Sequence, residues 1–331
     1  MQLRAETNRA LPFSKWLNRL VAFLSIALIC QLSSPGTHAQ EAVRPTESVK
    51  ILFAGDIMLD GGPGNLISNG KDPFEACAGL FEGVDLSIGN LECVLGRGGE
   101  IQLKPFVFRG AADSPRFIKK YFHAVSLANN HSMDFGPAGM VAMLDVLDRT
   151  KLSYFGGGHN IKQAISPFVI EIKGRKIAIL GFNEFYAEHY AATKDKAGNA
   201  PLTEPAVTLA IKNAREKLGC EVVIPFLHWG EEMMPGPRPD QATMARKWID
   251  AGATAVVGAH PHVPQTIETY RGSPIIYSLG NFAFDYFPGD PMEWVGWVAV
   301  INIEPAGGTI GLEIHPVLLD AAGCPKPIPT E

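Results

Sequence analysis

The sequence predicts an α/β fold in which an alternating front half feeds a β-rich back half. Short apolar runs alternate with helix-like segments between Lys50 and Ala259. Beyond them, "QTIETYRGSPIIYSL" and "GWVAVINIEPAGGTIGLEIHPV" alternate apolar and polar residues around Gly and Pro turns, as antiparallel strands do. Polar residues recur immediately after the apolar runs, where strands deliver them to one edge of a sheet.

In chain order, strands are expected at "KILFAG", "VDLSIGN", "AVSLAN", "FVIEIK", "KIAILGF", "EVVIPFLHW" and "TAVVGA". The helices expected between them are "SPRFIKKYF", opened by Ser114 with Pro115 in its first turn, and "GPAGMVAMLDVLDRT". Two more follow: "EPAVTLAIKNAREKLG", closed by Gly219, and "PDQATMARKWIDAG", closed by Gly252. The tail "CPKPIPTE" reads as extended and poorly ordered. The sequence shows no internal repeat, low-complexity run or heptad.

The 331 residues divide into a leader (1–39), a linker (40–48), one large domain (49–318) and the tail (319–331). In the leader, Lys15 and Arg19 precede the apolar "LVAFLSIALIC", and Thr37 and Ala39 of "THAQ" suit a small-residue cleavage site, as in a secretory signal peptide. The apolar stretch has 11 residues, against about twenty for a bilayer-spanning helix. Export to the periplasm or cell surface is therefore expected, with a membrane anchor only if the signal stays uncleaved.

Removing residues 1–39 takes away Arg4, Arg9, Lys15, Arg19 and Glu6, leaving 25 basic against 33 acidic residues and a formal charge of −8. Such a balance argues against a nucleic-acid partner. Cys77, Cys93, Cys220 and Cys324 then remain, an even number that fits disulfides in an oxidising compartment or, alternatively, buried free thiols. Three full pairings are open.

The polar residues after the apolar runs form an ordered series. "FAGDIMLDG" supplies Asp56 and Asp60, "IGNLE" supplies Asn90 and Glu92, and "LANNHSMDFG" supplies Asn129, Asn130, His131 and Asp134. His228 follows in "FLHWGEE", His260 and His262 in "GAHPHVPQ", and Asn281 and Asp285 in "SLGNFAFD". Taken singly, an Asp after a strand is an N-cap or turn former, and isolated histidines such as His123, His159, His189 and His315 are surface or hydrogen-bonded residues. Converging on one rim, carboxylates, carboxamides and imidazoles are costly to desolvate unless a cation compensates them. One or two divalent ions do so, and this donor chemistry suits Mn, Fe or Zn. In an extended "HPH", residues two apart point the same way, so His260 and His262 reach neighbouring ions or one ion and its water, and Gly258 and Pro261 make the segment a tight, rigid turn.

Together with "FVFRG", these motifs resemble the CapA-type capsule biosynthesis proteins associated with poly-γ-glutamate, within the calcineurin-like metallophosphoesterase superfamily. The resemblance runs from Val49 to His315 and implies a four-layer α/β/β/α sandwich with two central mixed sheets. It also implies metal ligands at Asp56, Glu92 (or Asn90 in its place), Asn130, His228, His260 and His262. His131 matches the histidine that protonates a leaving group, with Asp134 as a raiser of its pKa. Arg109 of "FVFRG" is the candidate cation for an anionic substrate.

Two departures stand out. Met58 occupies the position where the superfamily carries the histidine of Asp-x-His, and a thioether is a poor ligand for a hard or borderline ion. Asp60, Asn281 or Asp285 is then needed to replace the missing imidazole. "GNLE" stands where the superfamily carries a bridging aspartate, which makes a second ion the less secure one. The resemblance implies a metal-dependent hydrolase-like site acting in synthesis, export or release of an anionic polymer such as poly-γ-glutamate, alongside membrane synthase and export subunits. The alternatives are a non-catalytic accessory subunit of that machinery and a phosphoesterase unrelated to capsule.

Overall fold

The computed structural model describes residues 47–285, 291–305 and 310–329. The expected leader and nearly all of the linker lie outside the described residues. Strand β1 (Val49–Ile57) runs at the centre of an eight-stranded mixed sheet. On one side it pairs in parallel with β2 (Leu86–Leu91), followed by β3 (Ala124–Ser126) and β4 (Ser153–Phe155). A two-stranded ribbon, β5 (Gly157–Gly158) with β8 (Gly198–Asn199), leads away from that edge.

The second sheet has six strands, again mixed. β6 (Phe168–Ile172) and β7 (Arg175–Asn183) form a hairpin, and β9 (Val222–His228) and β10 (Val256–Ala259) continue from β7 in parallel. The hairpin of β11 (Ile267–Tyr270) and β12 (Ser273–Ile276) closes the far edge. The chain then returns to the first sheet. β13 (Asn281–Ala283) lies parallel to the end of β1, and β14 (Val295–Ile303) and β15 (Ile310–Leu319) extend β1's other side in antiparallel fashion. The tail read as poorly ordered instead adds β16 (Pro325–Pro327), with Leu319 opposite Pro325. Proline suits this place because an edge strand leaves one row of N–H groups unpaired.

Strand alternation sorts the side chains into layers. Val49, Ile51 and Phe53 of β1 face Ile177 and Ile179 of β7 and Ile224 and Phe226 of β9, forming a core between the sheets. The Phe53 and Phe226 rings meet edge to face at 5.5 Å. Leu52 and Ala54 point the other way, onto helices α1 (Gly61–Ser68), α2 (Ser114–Tyr121) and α3 (Gly136–Thr150). Ala178, Leu180 and Val223 face α4 (Glu204–Lys212) and α5 (Pro239–Asp250) on the outside of the second sheet. The result is the expected α/β/β/α sandwich. Its central strands are buried on both faces, which is why they read as continuous apolar runs.

Helix α1 was not expected from "GGPGNLIS", whose glycines and proline signal a turn. It forms because Asp60 caps it, accepting from Gly61 N at 2.9 Å, and because Ile67 is fully buried. Cys77, Cys93, Cys220 and Cys324 are buried free thiols, so the second of the two cysteine readings holds. Burial pushes the Cys77 and Cys93 thiols up to about 12.

Close backbone approach locks the first sheet to the site. A Cβ on Gly55 would stand 1.8 Å from the carbonyl oxygen of Gly280, which accepts from Asp56 N at 3.1 Å. Gly55→Ala is expected to lower unfolding free energy by about 1–3 kcal/mol through overpacking. Gly79→Ala, where nothing among the described residues lies within 4 Å of the added carbon, is expected to stay within about 0.5 kcal/mol of the parent. Urea denaturation of both variants checks the contrast.

Candidate metal centre

Parallel strands place their carboxyl ends at one rim, and the polar series arrives there strand by strand. β1 delivers Asp56, β2 delivers Asn90 and, one residue past its end, Glu92, the segment after β3 delivers Asn129 to Asp134, and β9 ends on His228. His260 follows β10 directly, and Asn281 opens β13 in register with Asp56. Asp56, Glu92 and His228 are at most 1 % exposed.

Two groups of donor atoms share Glu92 between them. In the first, His228 Nε2 lies 2.8 Å from Asn130 Oδ1, 3.1 Å from His260 Nδ1 and 3.4 Å from Glu92 Oε1. In the second, His262 Nδ1 lies 3.4 Å from Asp56 Oδ2 and 2.9 Å from Asn281 Oδ1. Glu92, His260 and His262 each offer a ligand atom within 4.8 Å of the others. Neighbouring ligands of one ion with bonds of about 2.1 Å stand roughly 3.0–3.4 Å apart, so these separations fit shared cations. Both Glu92 carboxylate oxygens are buried without a hydrogen-bond partner among the described residues. An unpaired buried carboxylate is expensive, and a divalent cation is the partner this donor set fits.

Asn90 has a different task from Glu92. Its amide nitrogen donates to Asp56 Oδ1 at 2.7 Å and lies 3.1 Å from His228 Nδ1, while its Oδ1 accepts from Asn129 Nδ2 at 3.1 Å. Asn129 in turn accepts from the backbone N–H groups of His131 and Ser132. This carboxamide chain orients the donors and leaves Glu92 as the acidic group between them.

The "HPH" segment forms the tight turn expected of it, beyond the end of β10 at Ala259, though without the extended conformation in which residues two apart point the same way. His260 and His262 both adopt positive φ, 102° and 59°, a conformation disfavoured for non-glycine residues and typical of strained functional sites. The turn brings His260 N to donate to Asp56 Oδ2 at 3.2 Å and holds the two rings 5.8 Å apart. Phenylalanines fix the imidazoles: Phe185 packs 4.0 Å from His260, Phe284 4.9 Å from His262 and Phe108 4.3 Å from His131.

Burial dominates the electrostatics. It raises the Glu92 carboxyl well above its ordinary range, with the Asp56 charge adding to the effect. It also raises Asp56, against the pull of His262 and the Asn90 hydrogen bond. Burial and then the neighbouring imidazoles push His228 and His260 well below the usual histidine value, keeping both neutral and able to ligate. Burial likewise lowers His131 and outweighs Asp134, so the raised value expected for a proton donor is not found.

His131 Nδ1 meets Asp134 Oδ2 at 2.9 Å, and Phe108 N donates to the same oxygen at 2.7 Å. Lys104 pairs with the other Asp134 oxygen and donates to Asn130 O at 2.9 Å. Lys104 is thus the cation that reaches this end of the site. Arg109 is turned elsewhere: its guanidinium lies 3.5 Å over the Phe135 ring and donates to the carbonyls of Gly96 and Gly98. That geometry pins a glycine-rich loop and does not present the charge expected for substrate. Phe185 and Lys104 carried no motif, so only the fold reveals them.

Asp60 caps α1 and accepts from Arg109 N at 2.8 Å. The Asp285 carboxylate packs against Gly61, where a Cβ would meet its Oδ2 at 2.0 Å. Asn281 Oδ1 lies 2.9 Å from Nδ1 of the donor histidine His262.

A two-sheet sandwich that gathers such donors at its strand ends defines a metallophosphoesterase-like protein. Within that superfamily the chain belongs to the bacterial capsule synthesis protein family PGA_cap, whose model matches residues 50–286. The capsule biosynthesis protein CapA of Bacillus anthracis is 32% identical over 215 residues, covering 62% of this chain and 50% of that protein. The PGA biosynthesis protein CapA of Bacillus subtilis (strain 168) is 32% identical over 275 residues, covering 80% and 72%. A probable polyglutamine synthesis accessory protein of Mycobacterium tuberculosis is 29% identical over 213 residues, covering 61% and 56%. The chain therefore spans about half the length of the first and third of these relatives.

Proposed function

We propose that this chain is an exported accessory protein of anionic capsule-polymer synthesis whose rim site is a metal-dependent hydrolase centre acting on poly-γ-glutamate or a related polymer. The observation that carries the reading is the buried Glu92 carboxylate, without a hydrogen-bond partner among the described residues and set between imidazole, carboxylate and carboxamide donors. The family match and the printed names of the relatives support the polymer, and the apolar leader supports export.

Asp56, Glu92, Asn130, His228, His260 and His262 are the residues that would hold the ions. A divalent cation in such a site supplies polarisation of a phosphoryl or acyl oxygen and acidification of water. The chain's own residues do the rest. Asp134 holds His131 through Nδ1 and leaves Nε2 to carry the proton exchanged with a leaving group. Phe108, Phe185 and Phe284 keep the imidazole rings from turning. Membrane synthase and export subunits are the partners this role requires.

A second reading, a non-catalytic subunit that captures polymer, is favoured by Met58 standing in place of a ligand. The discriminating experiment measures Mn, Fe and Zn in the purified chain and assays a chromogenic phosphodiester and poly-γ-glutamate, each with and without chelator. Stoichiometric metal with chelator-sensitive turnover is the expected result. Metal-loaded protein that binds polymer without turnover supports the second reading, and protein that binds neither metal nor polymer overturns both.

A further inference from the structure

Met58 leaves the donor set at the end of β1 one ligand short. Its thioether is buried and accepts from Asp60 N at 3.2 Å, so it is engaged within its own turn. Across the β1–β13 pairing, Asp56 stands in register with Asn281, which is 4 % exposed. The Asn281 amide nitrogen donates to Glu293 O at 3.0 Å, which directs Oδ1 to the opposite side. There Oδ1 lies 2.9 Å from His262 Nδ1, and that nitrogen lies 3.4 Å from Asp56 Oδ2.

We propose that Asn281 Oδ1 is the ligand that replaces the missing imidazole, so that the ion beside Asp56 and His262 is held by a carboxamide oxygen from β13. The two donor groups then differ in hardness. The His228 group offers two imidazoles beside the Asn130 and Glu92 oxygens, and the Asp56 group offers one imidazole beside carboxylate and carboxamide oxygens. Oxygen donors favour Mn²⁺ over softer ions, so the Asp56 position is the manganese-selective one. The inference rests on the metal reading above.

Cobalt(II) titration of the full chain tests it, because the visible d–d bands report donor type independently of turnover. The wild type is expected to take up two equivalents. Asn281→Ala is expected to weaken one of them by at least tenfold, and Asn281→Asp, which keeps an oxygen donor, to retain it. Asn281→His, which exchanges oxygen for nitrogen, is expected to shift the band of that equivalent and to lower the Mn²⁺ preference over Zn²⁺. His228→Ala is expected to affect the other equivalent.

An Asn281 that only orients His262 also weakens binding when removed, since outer partners of ligands are worth about 10–100-fold in affinity. In that case Asn281→His leaves the band position unchanged, and the proposal is overturned. It is equally overturned if Asn281→Ala keeps both equivalents within twofold of the wild type. A wild type that binds no cobalt at all sinks the metal reading itself, an outcome distinct from either.

Discussion

Glutamine in place of Glu92 is expected to stabilise the metal-free protein at neutral pH and to abolish the stabilisation that divalent cations confer on the wild type. The two effects have opposite sign because the same carboxylate is a burden without a cation and a ligand with one. Without metal, burial raises the folded-state pKa of Glu92 well above its unfolded value. Folding therefore binds a proton throughout the interval between the two values. Stability is then full below the ordinary carboxylate range and declines as pH rises, by up to about 1.4 kcal/mol per pH unit, until the raised folded pKa is passed. Glu92→Gln removes this decline and leaves the smaller contribution of Asp56, whose carboxyl is also raised. With metal, a ligand present at a hundredfold excess over its dissociation constant stabilises the wild type by about 2.7 kcal/mol, and the variant loses most of that gain. Thermal melts from pH 5 to 8 in chelator and in Mn²⁺ measure both arms. Equal pH slopes in chelator, or an undiminished Mn²⁺ shift in the variant, would show that Glu92 does not sit between the ions.

The strands that build this site were legible because each is buried on both faces. "KILFAG" and "EVVIPFLHW" read as continuous apolar runs, and their terminal Asp56 and His228 are where the runs end. Helix α3 was legible from its length and periodicity and matches its expected span from Gly136 to Thr150. Helix α1 was hidden because a side-chain cap and tertiary burial override the local cost of glycine, which no pattern in "GGPGNLIS" displays. The donors themselves were legible as residue types in order, but their grouping was not. Whether Asn90 or Glu92 lies between the histidines depends on which one spends its hydrogen bonds on its neighbours, a property of packing. The roles of Arg109, the candidate cation for substrate, and Lys104, which pairs with Asp134, were hidden for a related reason. Arg109 and Lys104 are five residues apart on one loop, and only the course of that loop decides which charge turns inward.

Replacement of His131 by glutamine is expected to lower metal-supported turnover by roughly 10²–10⁴-fold, the usual contribution of a positioned acid or base. Bound metal should stay within twofold of the wild type. The separation follows from the geometry. His131 is held by Asp134 on Nδ1 and packed on Phe108, whereas Asn130, the preceding residue, is the one whose Oδ1 faces His228. Glutamine fills much of the volume of an imidazole and keeps hydrogen-bonding capacity toward Asp134, but it does not exchange a proton near neutral pH. Asp134→Asn is expected to give a smaller loss, because it weakens the hold on His131 without removing the exchanging group. It also leaves Lys104 beside a neutral partner. If His131 serves only to shape the loop, glutamine lowers stability and turnover by similar proportions, and a substrate whose leaving group needs no proton suffers as much as one that does. A fall confined to the poorer leaving group, with metal content and melting temperature unchanged, is the result that makes His131 the proton donor. Retention of full activity on both substrates would remove it from the chemistry.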